Sequence, residues 1–117
     1  MTNQVSRELW ISFASLLRSY VAARCLNDQE SADVALKGEL IRIVAANAAM
    51  ELTLDPHDWS GSWCLSSGVG QQTRGRLALL PEGRIDIDGN VLDLDHAAID
   101  LVASLMNVAA GSAGSER

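Results

Sequence analysis

Between Ser6 and Arg24 the apolar residues recur at helical spacing. Leu9, Phe13, Leu16 and Tyr20 form one row, and Trp10, Leu17 and Val21 form the next row around. Glu8, Ser12, Ser15 and Ser19 occupy the opposite side, so the stretch predicts an amphipathic helix. Ile11 and Ala14 widen its apolar sector beyond the ~100° stripe of an ordinary surface helix. Asn27, Asp28, Gln29 and Glu30 bring turn-forming and charged side chains, and the pattern stops there.

From Glu39 onward the period shortens to two. Glu39 to Val44 and Ala49 to Leu54 read as strands joined through Ala45 to Ala48, although the alanines leave a helix as the competing reading of Leu40 to Leu54. Pro56 and Gly61 mark a turn, Ser62 to Ser66 reads as a short strand, and Ser66 to Gly75 reads as a flexible connection. Arg76 to Leu80 and Arg84 to Asp88 are strands around a Pro81-Glu82-Gly83 loop in which Gly83 supplies a positive φ. Val91 to Leu94 follows. Asp95 has the residue type of an N-cap, and Ile99, Val102 and Met106 align on one face of a second helix. The order predicts an α+β fold, an antiparallel meander of about six short strands flanked by an N-terminal and a C-terminal helix packed on one face. Residues 1–110 make a single domain in this reading, and 111–117 a flexible polar tail.

The hairpin register can be counted from the turns. A three-residue loop at Pro81 to Gly83 sets Leu80 opposite Arg84, Leu79 opposite Ile85, Leu77 opposite Ile87 and Arg76 opposite Asp88. The following stretch, DIDGNVLDLD from Asp86 to Asp95, allows two registers. An Asp88-Gly89 turn puts Asp86 opposite Val91, whereas a Gly89-Asn90 turn puts it opposite Asp93, like charge against like. As a calcium loop the stretch fails. Counted from Asp86, Gly89 arrives two positions early and the twelfth residue is Ala97, where a bidentate Glu belongs. A solvated hairpin face is the expectation.

Charge and cysteine content narrow the function classes. Fifteen acidic against nine basic residues give a formal charge of −6 in 117 residues, with the cations scattered. Such a surface repels a phosphate backbone and an anionic bilayer, so neither nucleic acid nor a membrane is expected as a partner. No apolar run approaches the ~20 residues that span a bilayer. Cys25 and Cys64 lie far apart without a CxxC or CxxH neighbour, which suits free thiols in a reducing compartment and a cytoplasmic setting. No metal constellation or cofactor motif is present, and Ser66 to Gly75 lacks the Lys-Ser/Thr ending of a phosphate loop.

Candidate chemistry is sparse. Asp93, Asp95 and His96 set carboxylates beside an imidazole, but Asp95 has a capping role and His96 would sit on an exposed first turn. His57 falls in a turn without a visible companion, and Cys64 lies in a strand pattern with no helix N-terminus to lower its pKa. Trp10, Trp59 and Trp63 are expected in the core, with interface anchoring as the alternative. The leading expectation is therefore a non-enzymatic, self-associating interaction domain, a homodimer through the helix flank Trp10, Leu17 and Val21. A module binding a small apolar ligand between sheet and helices is the second, and a hydrolase using His57 or His96 the third.

Overall fold

The computed structural model describes residues 3–28, 32–68 and 70–114, and shows the α+β architecture. Helix α1 (Asn3–Asp28) precedes seven strands, β1 (Ala32–Lys37), β2 (Leu40–Ala45), β3 (Ala48–Asp55), β4 (Ser60–Ser67), β5 (Gln72–Leu80), β6 (Arg84–Ile87) and β7 (Asn90–Asp93), and helix α2 (Leu94–Gly114) closes the chain. The strands form one antiparallel sheet in sequence order, a pure meander. Of the tail expected at 111–117, α2 takes in 111–114, and 115–117 lie outside the described residues.

Two boundaries differ from the sequence reading, and one expectation with a competing alternative is met. The meander has a seventh strand, β1, whose Ala32, Val34 and Leu36 half-bury against the helix layer while Asp33, Ala35 and Lys37 face solvent. Ser66, Ser67 and Gln72 to Gly75, expected as connection, are strand residues, so β4 and β5 pair from Ser60↔Ala78 to Ser66↔Gln72. The stretch from Leu40 to Leu54 is two strands, the alternation of Ile41, Ile43, Met50, Leu52 and Leu54 toward the core outweighing the helix propensity of the alanines.

The register joins inward residues into rows across the sheet. Val34, Ile43, Met50, Leu65 and Thr73 form one row, and Leu36, Ile41, Leu52, Trp63 and Gly75 form the next. Leu54, Gly61, Leu77 and Ile87 continue the face. On α2 the core stripe is Ala97, Ala98, Leu101, Val102, Leu105, Met106 and Ala109; Ile99, expected on the inner face, is exposed. Helix α1 packs against α2 and over β1, so it has two walls to bury against instead of one.

That second wall corrects the interface expectation. Trp10, Leu17 and Val21 are 1%, 0% and 3% exposed, buried in the chain's own core together with Phe13 and Ala14. In the other row, Leu9, Leu16 and Tyr20 are only half-buried around Phe13. The width of the apolar sector thus reflects an intramolecular fit between sheet and neighbouring helix. The helix sinks so deeply that the Ser6 hydroxyl is buried with it. Leu17→Ala should accordingly destabilise the fold by about 2–5 kcal/mol in urea denaturation without changing the mass in solution. Unchanged stability with a changed mass would put Leu17 at an interface.

Candidate functional site

The β6–β7 hairpin resolves the aspartate stretch. Asp86 pairs with Val91, so the turn is Asp88-Gly89, with φ of 55° and 92° at its two central residues. This is the primed geometry that matches strand twist, and it avoids the Asp86–Asp93 confrontation. Asp86 Oδ1 accepts from the Gly89 N–H at 2.8 Å and stabilises the turn. The other hairpin also has the counted register, Leu80↔Arg84, Leu79↔Ile85 and Leu77↔Ile87, with positive φ at both Glu82 and Gly83.

Asp88 turns back across β5 and holds Trp63. Its Oδ1 accepts from the Arg76 backbone N–H at 2.8 Å, its Oδ2 accepts from the Trp63 indole Nε1–H at 3.2 Å, and its own N–H donates to the Arg76 carbonyl at 3.0 Å. The sequence pairs Asp88 with Arg76, and the structure realises that pairing through the arginine's backbone. Gly75 makes room for the arrangement, since a Cβ there would collide with Asp88 Oδ1 and the Trp63 indole. One carboxylate therefore ties together β4, β5 and the β6–β7 turn and fixes the plane of a half-buried indole.

Beside this tie lies an open cleft of about 340 Å³ between α2 and the inner face of β4 to β7. Its walls are Met50, Trp63, Leu65, Ile87, Leu92 and Leu101, and its rim carries Asp88, Asn90, Asp100, Thr73 and Ser104. Helix α2 meets β3, β4, β6 and β7 but hardly touches β5, and Thr73 on the inner face of that strand is exposed. Apolar walls with a few polar groups at the mouth are the usual composition of a small-molecule site. A larger hollow of about 500 Å³ on the outer face of the sheet is polar, with Arg42 engaged by Glu51 at 3.4 Å and Arg74 by Gln72 at 3.2 Å. Cys64 stands in it half-buried and free, its Sγ 3.9 Å from the Ser66 hydroxyl.

The titratable residues singled out in the sequence occupy other places. Asp93, not Asp95, caps α2, because Asp93 Oδ1 accepts from the His96 backbone N–H at 2.7 Å, an N-cap to N3 bond. The His96 ring closes on the same carboxylate, Nδ1 lying 2.9 Å from each oxygen. Asp95 instead accepts from the Tyr20 hydroxyl at 2.6 Å and links α2 to α1, which raises the Tyr20 pKa. His57 pairs with Asp55 across the β3–β4 turn, its N–H and ring Nδ1 at 2.9 and 3.1 Å from Asp55 Oδ1. Each histidine thus has a carboxylate two or three residues away, and none of these groups lines the cleft. Among the described residues no cluster of three or more His, Cys, Asp or Glu could hold a metal ion, and no helix is long and apolar enough to cross a membrane. Compared with protein-family models, with curated proteins and with solved structures, the chain matches none.

Two expectations follow. Gly75→Ala should destabilise by about 1–3 kcal/mol in urea denaturation, because the methyl displaces Asp88 or Trp63; wild-type stability would contradict the tie. The second concerns pH. Hydrogen bonds from the His96 backbone and ring hold the Asp93 carboxyl below its ordinary range, so its stabilisation is complete above the unfolded carboxylate pKa and fades as pH falls through the depressed value. Asp93 holds His96 above its ordinary pKa, so that contribution is complete below the unfolded histidine pKa and fades as pH rises through the raised value. Both act together at about pH 5–6. Asp93→Ala should lower the melting midpoint most in that window, and Asp93→Asn should retain the cap while flattening the pH profile. A larger loss for Asp95→Ala than for Asp93→Ala would place the helix start elsewhere.

Proposed function

We propose that the chain is a non-catalytic binding domain whose site is the cleft under α2, and that its ligand is a small molecule with an apolar body and a cationic or hydrogen-bond-donating head. The observation that supports this is the join of two chemistries at one place. Met50, Leu65, Leu92 and Leu101 offer an apolar wall to a ligand of a few carbon atoms, while the Asp88 and Asp100 carboxylates stand at the mouth. A volume of about 340 Å³ lies within the range of ligand clefts. Trp63 adds a fixed aromatic surface beside Asp88, suited to stacking or to a cation over the ring. The formal charge of −6 favours a cation over an anion within about a Debye length, ~10 Å, of the surface. Against catalysis stands the placement of the titratable groups, because Asp55 with His57 and Asp93 with His96 are joined in separate local turns and converge on no common space.

A titration of the ¹⁵N-labelled protein with aliphatic amines of six to ten carbons, and with carboxylates of matched length, tests the reading. Amines should shift the amide signals of Leu65, Thr73, Ile87 and Leu101 in a saturable way, carboxylates should bind at least about tenfold more weakly, and Thr73→Trp should abolish the effect by filling the cleft from its exposed rim. Saturable shifts centred on another part of the molecule, or equal affinity for both ligand series, would refute it.

A further inference from the structure

The two edges of the sheet are built differently. Strand β7 is four residues long, and its last residue, Asp93, turns its side chain into the cap of α2. The chain passes directly from Asp93 into α2 at Leu94, so this edge is short and ends at a helix. Strand β1 is six residues long, contains no proline, and has β2 as its sole neighbour in the sheet. Lys37 and Leu40 close the Gly38-Glu39 turn, with Gly38 at φ 62°. In an antiparallel pair closed in this way the backbone groups of Asp33, Ala35 and Lys37 point toward β2, and those of Ala32, Val34 and Leu36 point outward.

We infer that β1 is the contact through which two copies of this chain join, edge to edge and antiparallel, about a two-fold axis through Ala35 perpendicular to the sheet. In that register Ala35 meets Ala35, Val34 meets Leu36, and Asp33 meets Lys37 of the second copy. Three requirements are met together. The outward backbone groups of Val34 and Leu36 fall opposite one another and complete hydrogen-bonded pairs. The dyad passes through a pair without mutual hydrogen bonds, where side chains approach most closely and alanine is small enough to fit. On the outer face each Asp33 stands opposite a Lys37, whereas moving the axis one residue either way leaves both charges opposite alanine or outside the strand.

The inner face supplies a seat. A groove of about 370 Å³ runs between α1 and β1, walled by Val21, Ala22, Cys25, Ala32 and Val34 with Arg18 and Asp33 at its margins. Leu36 of the second copy, set opposite Val34 on this face, enters that groove, and the symmetry repeats the contact. The result is a continuous sheet of two seven-stranded halves with both helix layers on one side. Val21 thereby borders the interface through the groove, while Trp10 and Leu17 remain core residues. The join is independent of the cleft, which lies under α2 over β4 to β7.

The charges make the test specific. Asp33 and Lys37 are exposed and point away from the core, so exchanging them leaves the fold intact, and about 13 Å of strand separates them within one chain. Wild-type protein, Asp33→Lys, Lys37→Asp and the double exchange would be compared by sedimentation equilibrium at low salt, with circular dichroism melts as the check on folding. Wild type should reach twice the 12.5 kDa chain mass by about 100 µM. Each single exchange should weaken the dimer at least about tenfold by setting like charges opposite, and the double exchange should restore it to within about threefold. A wild-type monomer at that concentration, a dimer indifferent to the single exchanges, or a double exchange that does not recover would overturn the inference.

Discussion

Two helices cover one face of a seven-stranded sheet, and the cover thins at β5. Helix α1 lies over β1 and against α2, and α2 reaches from β2 to β7 while hardly touching β5. The gap falls on the inner side of β5, where exposed Thr73 lines the cleft together with Trp63, Ile87 and Leu92. Trp10, Phe13, Leu17 and Val21 close the core from the α1 side, and of these only Val21 also borders the groove beside β1.

An uncovered strip of sheet leaves apolar side chains without support, and the Asp88 tie supplies some. By accepting from Trp63 and from the Arg76 backbone, the carboxylate holds a large aromatic side chain in place at the edge of the cleft and fastens the β6–β7 turn over β5. A positive φ at Asp88 and a missing side chain at Gly75 are the local costs. A rigid aromatic surface next to a carboxylate is also what a cationic ligand would recognise, so in the proposed function the same device would set the selectivity of the cleft.

How much of this the sequence carried depends on what each position faces. The hairpin registers were legible because apolar alternation and charge opposition agree, and the Asp88-Gly89 turn followed from avoiding Asp86 against Asp93. The inner positions of β5 were not legible at Thr73 and Gly75, since one lines the cleft and the other receives Asp88, and neither is apolar. Strand β1 was hidden by its alanines and by its edge position, which needs little apolar content. Asp95 and Asp93 are equal as caps by residue type, and only the spacing to the His96 N–H separates them. The burial of Trp10, Leu17 and Val21 was illegible because the core they enter is completed by α2, some eighty residues further along the chain. Of the cleft, Trp63 and Asp88 had been singled out separately, and the contact between them is long-range.

The central claim is that the incomplete helix cover leaves an apolar cleft able to accept a guest. Methyl-resolved NMR under xenon pressure tests it most directly, because xenon enters apolar space without needing any polar partner. Saturable shifts should be confined to Met50, Leu65, Ile87, Leu92 and Leu101, with Ile43, Leu52 and Leu105 in the core unchanged. Silence at those five residues, or shifts centred on the core methyls, would contradict it.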